Sequence, residues 1–471
     1  MTDSASPNAT PAPAPPPHSA SAPIAAAQNS GGLLKVLGLW FGIAAAIGNT
    51  IAAGIARTPG FIATQLPNPW LFVGIWVLGG IYALLGASSL AELGSAIPKS
   101  GGQYNYSRRA FGDYAGFIVG WSDWLSTCGT SAAVVIVIAE YSAALFPALA
   151  GQRKTLSVAI LVLFGLLQWR GTKWGSSAQL LTAGLKTVAF VVLVIACFFF
   201  GHAHAAEAAQ SAPTLPHGWP LLVGIMLALQ QVIYTVDGWD AVIYFGEEVK
   251  EPGRDVPRAI FLSVLSILGI YLLLNIAVLW VLPMSQIRGN DFALGAAANV
   301  VFGRLGDPII RSIMIVSLLS CINACQMFST RVLYAMSCDG LFLRQATKVN
   351  RGGTPGLALF LSTLVAVVFA LGSFDRVIAM LSFFFVANYT LSYASLFWLR
   401  KRDPQMPRPY KAWGYPWTSG LALVASAIFL VASLVTDRDN APLAFYMLIA
   451  SYPLFLLLKW ISAKTAAAAT A

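Results

Sequence analysis

Residues 230–248 read QQVIYTVDGWDAVIYFGEE, with Asp237 and Asp240 bracketing Gly238 and Trp239 inside an otherwise apolar stretch. An ionised carboxylate in hydrocarbon costs about 2.5 kcal/mol or more on insertion scales. Two in one segment predict that this part of the chain is not a lipid-facing helix. Irregular backbone is tolerated at membrane depth only where protein or a water-filled cavity surrounds it. An unwound segment lining a cavity therefore relieves the cost. Asp237 is then available to a ligand, to a hydrogen-bond network, to a proton, or as a cap for the free N–H groups of a following half-helix. Asp240 is expected to satisfy local backbone or face a neighbouring helix.

The remainder of the chain supplies the membrane. Of 471 residues 57% are apolar and 10% charged, with a mean hydropathy of +0.70, whereas soluble domains carry roughly 25% charged residues. About 20 mostly apolar residues cross a bilayer, and on that rule twelve segments qualify. They are 36–65, 70–92, 112–146, 155–170, 176–201, 218–247, 258–283, 309–338, 355–372, 375–399, 416–436 and 442–461. With the N-terminus in the cytosol, nineteen of the 29 Lys and Arg residues fall in loops on the cytosolic side and eight on the other. This asymmetry is that of an inner-leaflet bias. It accounts for the net charge of +10 without a nucleic-acid partner. Residues 1–32, rich in Ala, Pro and Ser, are expected to be a disordered cytosolic tail with no cleaved signal peptide. Residues 33–201 then hold spans one to five, 202–399 spans six to ten, 400–461 the last two spans, and 462–471 a cytosolic C-terminal tail.

A second interruption stands in a matching place. The first span reads FGIAAAIGNTIAAGIARTPGFIATQ over 41–65, with Gly48, Gly54, Pro59 and Gly60. Spans one and six are the corresponding first helices of two five-helix halves, the arrangement of transporters built from inverted repeats unwound at the midplane. Lys186 lies in the middle of span five, where a lysine must face the interior and find partners. It is expected to bridge span five to the unwound segment of span one as the coupling residue, either a proton-responsive switch or a fixed pin in an exchanger. The run STCGTS at 126–131, with Thr127 and Thr130, is expected to line the cavity opposite the broken helices or to bond helix to helix. Ser382 and Asn388 of span ten are further lining candidates. Glu247 and Glu248 with Lys250, Arg254 and Arg258, and Glu92 with Arg108 and Arg109, form loop charge clusters that either pair locally or act as gates. The five cysteines lie in or at the edges of apolar segments, Cys321 and Cys325 on one helix face, and are expected to pack rather than bind metal. His202 and His204 occupy a loop. No cofactor and no metal site are indicated, and no nucleophile–base cluster suggests an enzyme.

Three motifs resemble the amino acid–polyamine–organocation superfamily of permeases, in particular its L-type amino acid transporter branch. They are GIARTPG at 54–60, AELGSAIPKSGGQYNYSRRAFG at 91–112 and DGWDAVIYFGEEVKEPGRDVPRAI at 237–260. The resemblance implies an all-α membrane fold with a 5+5 inverted-repeat core, helices 1 and 6 unwound, and two peripheral helices. It implies that a substrate carboxylate meets the free amides around Ala52, Ala53, Gly54 and Ile55. The amino group would meet Tyr234, Thr235, Asp237 and Gly238, with Tyr234 and Trp239 as gate aromatics. A fifth-helix lysine, here Lys186, stands in relatives where sodium-coupled cousins bind their ion, which implies sodium independence. Departures are Ala52-Ala53-Gly54 in place of Gly-Ser-Gly, Ala56 in place of Phe, and Asp237 in place of a small residue.

The expected function is secondary active amino acid transport across the cell membrane, by proton coupling or exchange, with polyamine or organocation antiport and non-transporting sensing as alternatives. Protons are the candidate coupling ion. The resemblance implies that a partner subunit, where relatives need one, is attached through an extracellular-loop cysteine. None of the five cysteines lies in such a loop, so no obligate partner subunit is expected. Both termini are expected in the cytosol. A green fluorescent protein fused at the C-terminus should therefore fluoresce and an alkaline phosphatase fused there should be inactive; the opposite pair of results would invert the topology.

Overall fold

The computed structural model describes residues 33–201, 215, 217–372, 374–436 and 441–470, with the side chains of 53, 374–380, 382, 436, 441, 443 and 462–470 left aside. The expected tail at 1–32, His202 and His204, and the Ser382 side chain lie outside the described residues. The elements are α1 (Leu39–Thr50), α2 (Ala53–Gln65), α3 (Pro69–Ala96), α4 (Tyr104–Phe111), α5 (Asp113–Leu145), α6 (Arg153–Trp169), α7 (Thr172–Phe200) and α8 (Trp219–Val236). After these come α9 (Pro252–Val281), α10 (Met284–Ile287), α11 (Ala293–Phe302), α12 (Gly306–Cys338), α13 (Gly356–Ala370), α14 (Phe374–Arg402), α15 (Trp417–Thr436) and α16 (Ala441–Thr470). No extended strand occurs among the described residues, only isolated bridges.

Among the described residues nine helices are long and apolar enough to cross a membrane, or ten when the bent pair α1 and α2 counts as one. Helix α13 is apolar but only 15 residues long, and α14 occupies the tenth expected segment. The 10-residue α11, ALGAAANVVF, was not anticipated because it is apolar yet far too short for a window of about 20 residues. Helix α16 runs to Thr470, past the boundary expected at 461. Its last turns are SAKTAAAAT, and alanine is the strongest helix former, so the backbone has no local reason to stop.

Helix starts reflect local chemistry where the sequence supplies it. Asn68 caps α3, its Oδ1 accepting from Trp70 N at 2.9 Å and Leu71 N at 3.1 Å, with Pro69 in the first turn. The bundle is organised on long buried helices. Helix α5 packs along α12, α13 and α14, and α3 along α9. The opposite chemistry faces outward: α6 and α7 expose Leu163, Leu166, Leu181 and Val188, as a lipid-facing surface requires.

Both interruptions are present. Helix α1 ends at Thr50, α2 begins at Ala53, and the two meet at 49°. Helix α8 ends at Val236, earlier than the expected 247. Beyond it the chain forms no second half-helix, only a turn and one 3₁₀ turn, Ala241–Tyr244. Gly238 at φ +101° makes that turn, a conformation L side chains avoid. Asp237 therefore has no α-helical N-terminus to cap.

The segment after this break is sewn to two other parts of the chain. Leu37 N donates to Glu248 O and Lys250 N to Leu37 O, both at 2.9 Å, and Gly101 N donates to Tyr244 O at 3.1 Å. At the same end of the bundle the charge clusters resolve into local pairs, Arg254 with Glu251 and Asp255, and into long-range ones. Arg331 of α12 grips Glu248 with Nε at 2.9 Å and Nη2 at 3.0 Å, and Nη2 also donates to Thr172 Oγ1 at 3.1 Å. Both charged side chains are essentially excluded from solvent. Glu92 does not pair with Arg108 and Arg109 as sequence proximity suggested. It pairs with Arg400 and Arg408 and accepts from Ala412 N, whereas Arg108 meets Asp113 and Asp339, and Arg109 meets Asp403. The end of α3 packs against the end of α14, and that adjacency is invisible in linear spacing.

Removing one member of a buried pair strands the other charge and costs about 3–5 kcal/mol, while replacing both by apolar groups is often neutral. Arg331→Ala is therefore expected to lower the thermal unfolding midpoint of the detergent-solubilised protein by several degrees, and Arg331→Met with Glu248→Leu by less. Equal losses in the single and double variants would contradict this account.

Candidate functional site

A cavity lies where the two interruptions meet. It opens about 50 Å³ to water centres, room for a few waters. Its walls come from the α1–α2 break (Asn49, Thr50, Ala52, Gly54), from α5 (Asp123, Thr127, Thr130) and from the α8 break (Tyr234, Thr235, Asp237, Gly238). Asp240, Tyr244, Gln103, Cys325 and, on α14, Asn388 and Tyr389 also line it, with Val134, Phe328 and Phe385 as its apolar members.

The two breaks touch because their small residues allow it. A Cβ on Gly54 would sit 2.7 Å from Thr235 Oγ1, and one on Gly238 would overlap the Asn49 amide. Thr235 Oγ1 donates to Gln231 O, so Thr58 Oγ1 is the donor in their 2.7 Å contact. The Tyr271 hydroxyl stands 2.7 Å from Thr50 O and 3.2 Å from Thr235 O, bridging one break to the other.

Unwinding α1 leaves carbonyls without helical partners, and buried carbonyls need them. Lys186 supplies two: Nζ donates to Gly48 O at 2.9 Å and to Ile51 O at 2.8 Å, from a fully buried position on α7. Ser317 Oγ donates to Ile51 O at 2.5 Å. From the same helix as Lys186, Gln179 Nε2 donates to Ala44 O at 3.2 Å, and Gly48 leaves the space its amide fills. The lysine thus joins α7 to the irregular segment by charge-assisted bonds, the stronger kind of hydrogen bond.

Three carboxylates line the other side. Asp237 Oδ1 accepts from the Tyr389 hydroxyl at 2.8 Å, Asp123 Oδ1 from the Tyr244 hydroxyl at 2.9 Å, and Asp240 Oδ2 from Gln103 Nε2 at 3.0 Å. Gln103 is itself oriented by Ser392, whose hydroxyl donates to Oε1 at 3.0 Å. Asp240 thus meets both a neighbouring loop and its own backbone N–H.

Of the residues expected in the site, Ala52, Gly54, Thr127, Thr130, Tyr234, Thr235, Asp237 and Gly238 share this one cavity. Ile55 is fully buried but outside the lining, and the Ala53 side chain lies outside the described residues. Trp239 is also outside the lining, stacked on Tyr389 at 5.5 Å between centroids and packed near Gly86. Lys186 stands behind the break rather than in the cavity wall. Sequence reasoning missed Asn49, Gln103 and Tyr389. Gln103 sits inside the quoted SGGQY run, which was the available signal; nothing marked Tyr389.

The Amino acid permease family model matches residues 37–457. The chain belongs to the amino acid permease family. The permease is 28% identical over 437 residues to the serine/threonine exchanger SteT of Bacillus subtilis, covering 91% of this chain and 98% of that protein. It is 28% identical to the Asc-type amino acid transporter 1 of Mus musculus, covering 90% and 81% of the two chains. It is 26% identical to the b(0,+)-type amino acid transporter 1 of Homo sapiens, covering 87% and 84%. Membership makes it a multi-pass membrane transport protein and not an enzyme.

The permease's Gly238 is placed to report on the breaks. Gly238→Ala adds a Cβ against Asn49 at a φ unfavourable to alanine. It should weaken ligand binding at least about tenfold, read by thermal-shift titration, with expression retained. Unchanged affinity would remove this turn from the site.

Proposed function

We propose that the permease is an amino acid exchanger of the cell membrane that holds a small substrate between its two broken helices and works by alternating access. The observation that carries this reading is the cavity shared by the α1–α2 and α8 breaks. Backbone groups at the two breaks offer positive amide and negative carbonyl ends to the two poles of a zwitterion. The carboxylate would lie at Ala52, Ala53, Gly54 and Ile55, and the amino group at Tyr234, Thr235, Asp237 and Gly238, with Thr127 and Thr130 opposite. Tyr234, stacked against Phe385 at 6.5 Å, is the aromatic gate of this scheme; Trp239 acts behind it through Tyr389. The twelve helical segments are read as twelve spans, ten of them in two inverted repeats, with both termini cytosolic.

Several features support this reading. Relatives are named as exchangers or transporters of amino acids, among them one for serine and threonine. The limited room in the cavity favours a short side chain. The buried Lys186 ammonium occupies the back of the unwound segment and makes sodium unnecessary there. Alternating access requires the break to switch between two arrangements, and Lys186 is the group whose bonds hold it in one of them. The pairs around Glu248 and Glu92 close the cytosolic end in the present arrangement. One relative is named a small subunit; this permease is proposed to act alone, since the single exposed cysteine, Cys338, lies at the cytosolic end.

A second reading, organocation antiport, has one observation in its favour. Among the described residues no Lys or Arg pairs with Asp123, Asp237 or Asp240, all of which line the cavity.

Proteoliposomes loaded with unlabelled amino acid decide between these. Labelled serine should enter only against internal amino acid, with no dependence on sodium. Uptake driven by a pH gradient alone would make the permease a symporter, and displacement by polyamines but not amino acids would favour the second reading. Lys186→Ala removes two charge-assisted bonds, each worth about 1.5–3 kcal/mol. It should cut exchange more than about tenfold while the protein still inserts; wild-type exchange would exclude a coupling role.

A further inference from the structure

We propose that Asp123 selects the substrate's side chain, and that the chemistry it selects is a hydrogen-bond donor a short reach from Cα, a hydroxyl or an ammonium. This rests on the amino acid permease reading and deepens it.

The inference starts from atoms without partners. Asp123 is 3% exposed and lines the cavity; Tyr244 occupies its Oδ1, while its Oδ2 has no hydrogen-bond partner. A buried carboxylate oxygen left unmet costs free energy, and such atoms occur where a ligand or water completes them. Oδ2 is not alone. Thr50 Oγ1, Thr130 Oγ1 and Asn388 Nδ2 are also buried without partners, and all three residues line the same cavity. Thr50 and Asn388 are 4% and 3% exposed. Asn388 is held through its Oδ1, which Ser122 Oγ approaches at 2.8 Å, so the neighbours on α5 and α14 are set in place before any ligand arrives.

The other two carboxylates are less available. Asp237 is bonded to Tyr389 and belongs to the α8 break, on the side proposed for the substrate's amino group. Asp240 is held by Gln103, itself fixed by Ser392. Asp123 instead stands on α5, outside both breaks, and meets the α8 segment only through the Tyr244 hydroxyl, and it is here that we place the side chain of a zwitterion held at both breaks. A hydrogen-bond acceptor with no donor of its own strongly discriminates against a substrate that brings none, because the acceptor then stays unmet.

The experiment uses three ligands of similar size: serine, 2,3-diaminopropionate and alanine, each competing for labelled substrate exchange in proteoliposomes of the full-length permease. Serine, diaminopropionate or both should compete at concentrations at least about tenfold below alanine. A hydroxyl is the group selected if serine leads, an ammonium if diaminopropionate leads. Asp123→Asn should bring the preference down to about threefold or less. Asp240→Asn should retain the preference. If Asp123→Asn does not accumulate, Asp123→Ser, which still offers Tyr244 an oxygen, takes its place. Equal competition by all three ligands in the wild type, or an undiminished preference in the Asp123 variant, would overturn the proposal while leaving amino acid exchange intact. Competition by none of them would instead remove the reading on which it rests.

Discussion

The structure depends on how a polypeptide can stop being a helix in a region without bulk water. Breaking α1 between Thr50 and Ala53 frees carbonyls that hydrocarbon cannot satisfy. The fold answers with donors fixed on neighbouring helices: Lys186 Nζ on Gly48 O and Ile51 O, Ser317 Oγ on Ile51 O, and the Tyr271 hydroxyl near Thr50 O. Each of these donors is itself buried, and the lysine in particular is satisfied only while the break exists. Break and donors therefore require one another, and a continuous α1 would leave a lysine unpaired in the membrane interior.

The second break solves the same problem differently. After Val236 the chain does not return to α-helix; Gly238 turns it, and a single 3₁₀ turn leads to a segment held by Leu37 and by the loop at Gly101. Backbone pairing to other segments replaces a second half-helix. This ties the cavity wall directly to the end of the bundle where Glu248 meets Arg331 and Glu92 meets Arg400 and Arg408. A rearrangement that opened that end would have to move the residues that line the cavity.

How much of this was legible depended on whether the signal was local. The break in span six was, because a Gly between carboxylates turns the chain where it stands. The one in span one was legible only as a region, since Gly48 lies within α1, Gly54, Pro59 and Gly60 lie within α2, and the break falls between them at Ile51–Ala52. Lys186 was legible for a related reason, since a mid-span lysine has few physically acceptable solutions. Glu92 was not. Its arginines stand about three hundred positions away, while two closer ones attracted the wrong expectation. Trp239 belonged to a recognisable motif yet points into the packing against Tyr389, because the turn at Gly238 sets the direction of the next side chain.

From its sequence alone the protein was determined to be a helical membrane protein with two interrupted segments and a buried cation, because hydropathy, charge cost and helix propensity act over a few turns of chain. Only the tertiary structure decided that the interruptions face each other, that Gln103 and Tyr389 join them, and which acid meets which base. Those outcomes depend on where helices distant in sequence lie side by side, and packing in three dimensions leaves no periodic trace in one.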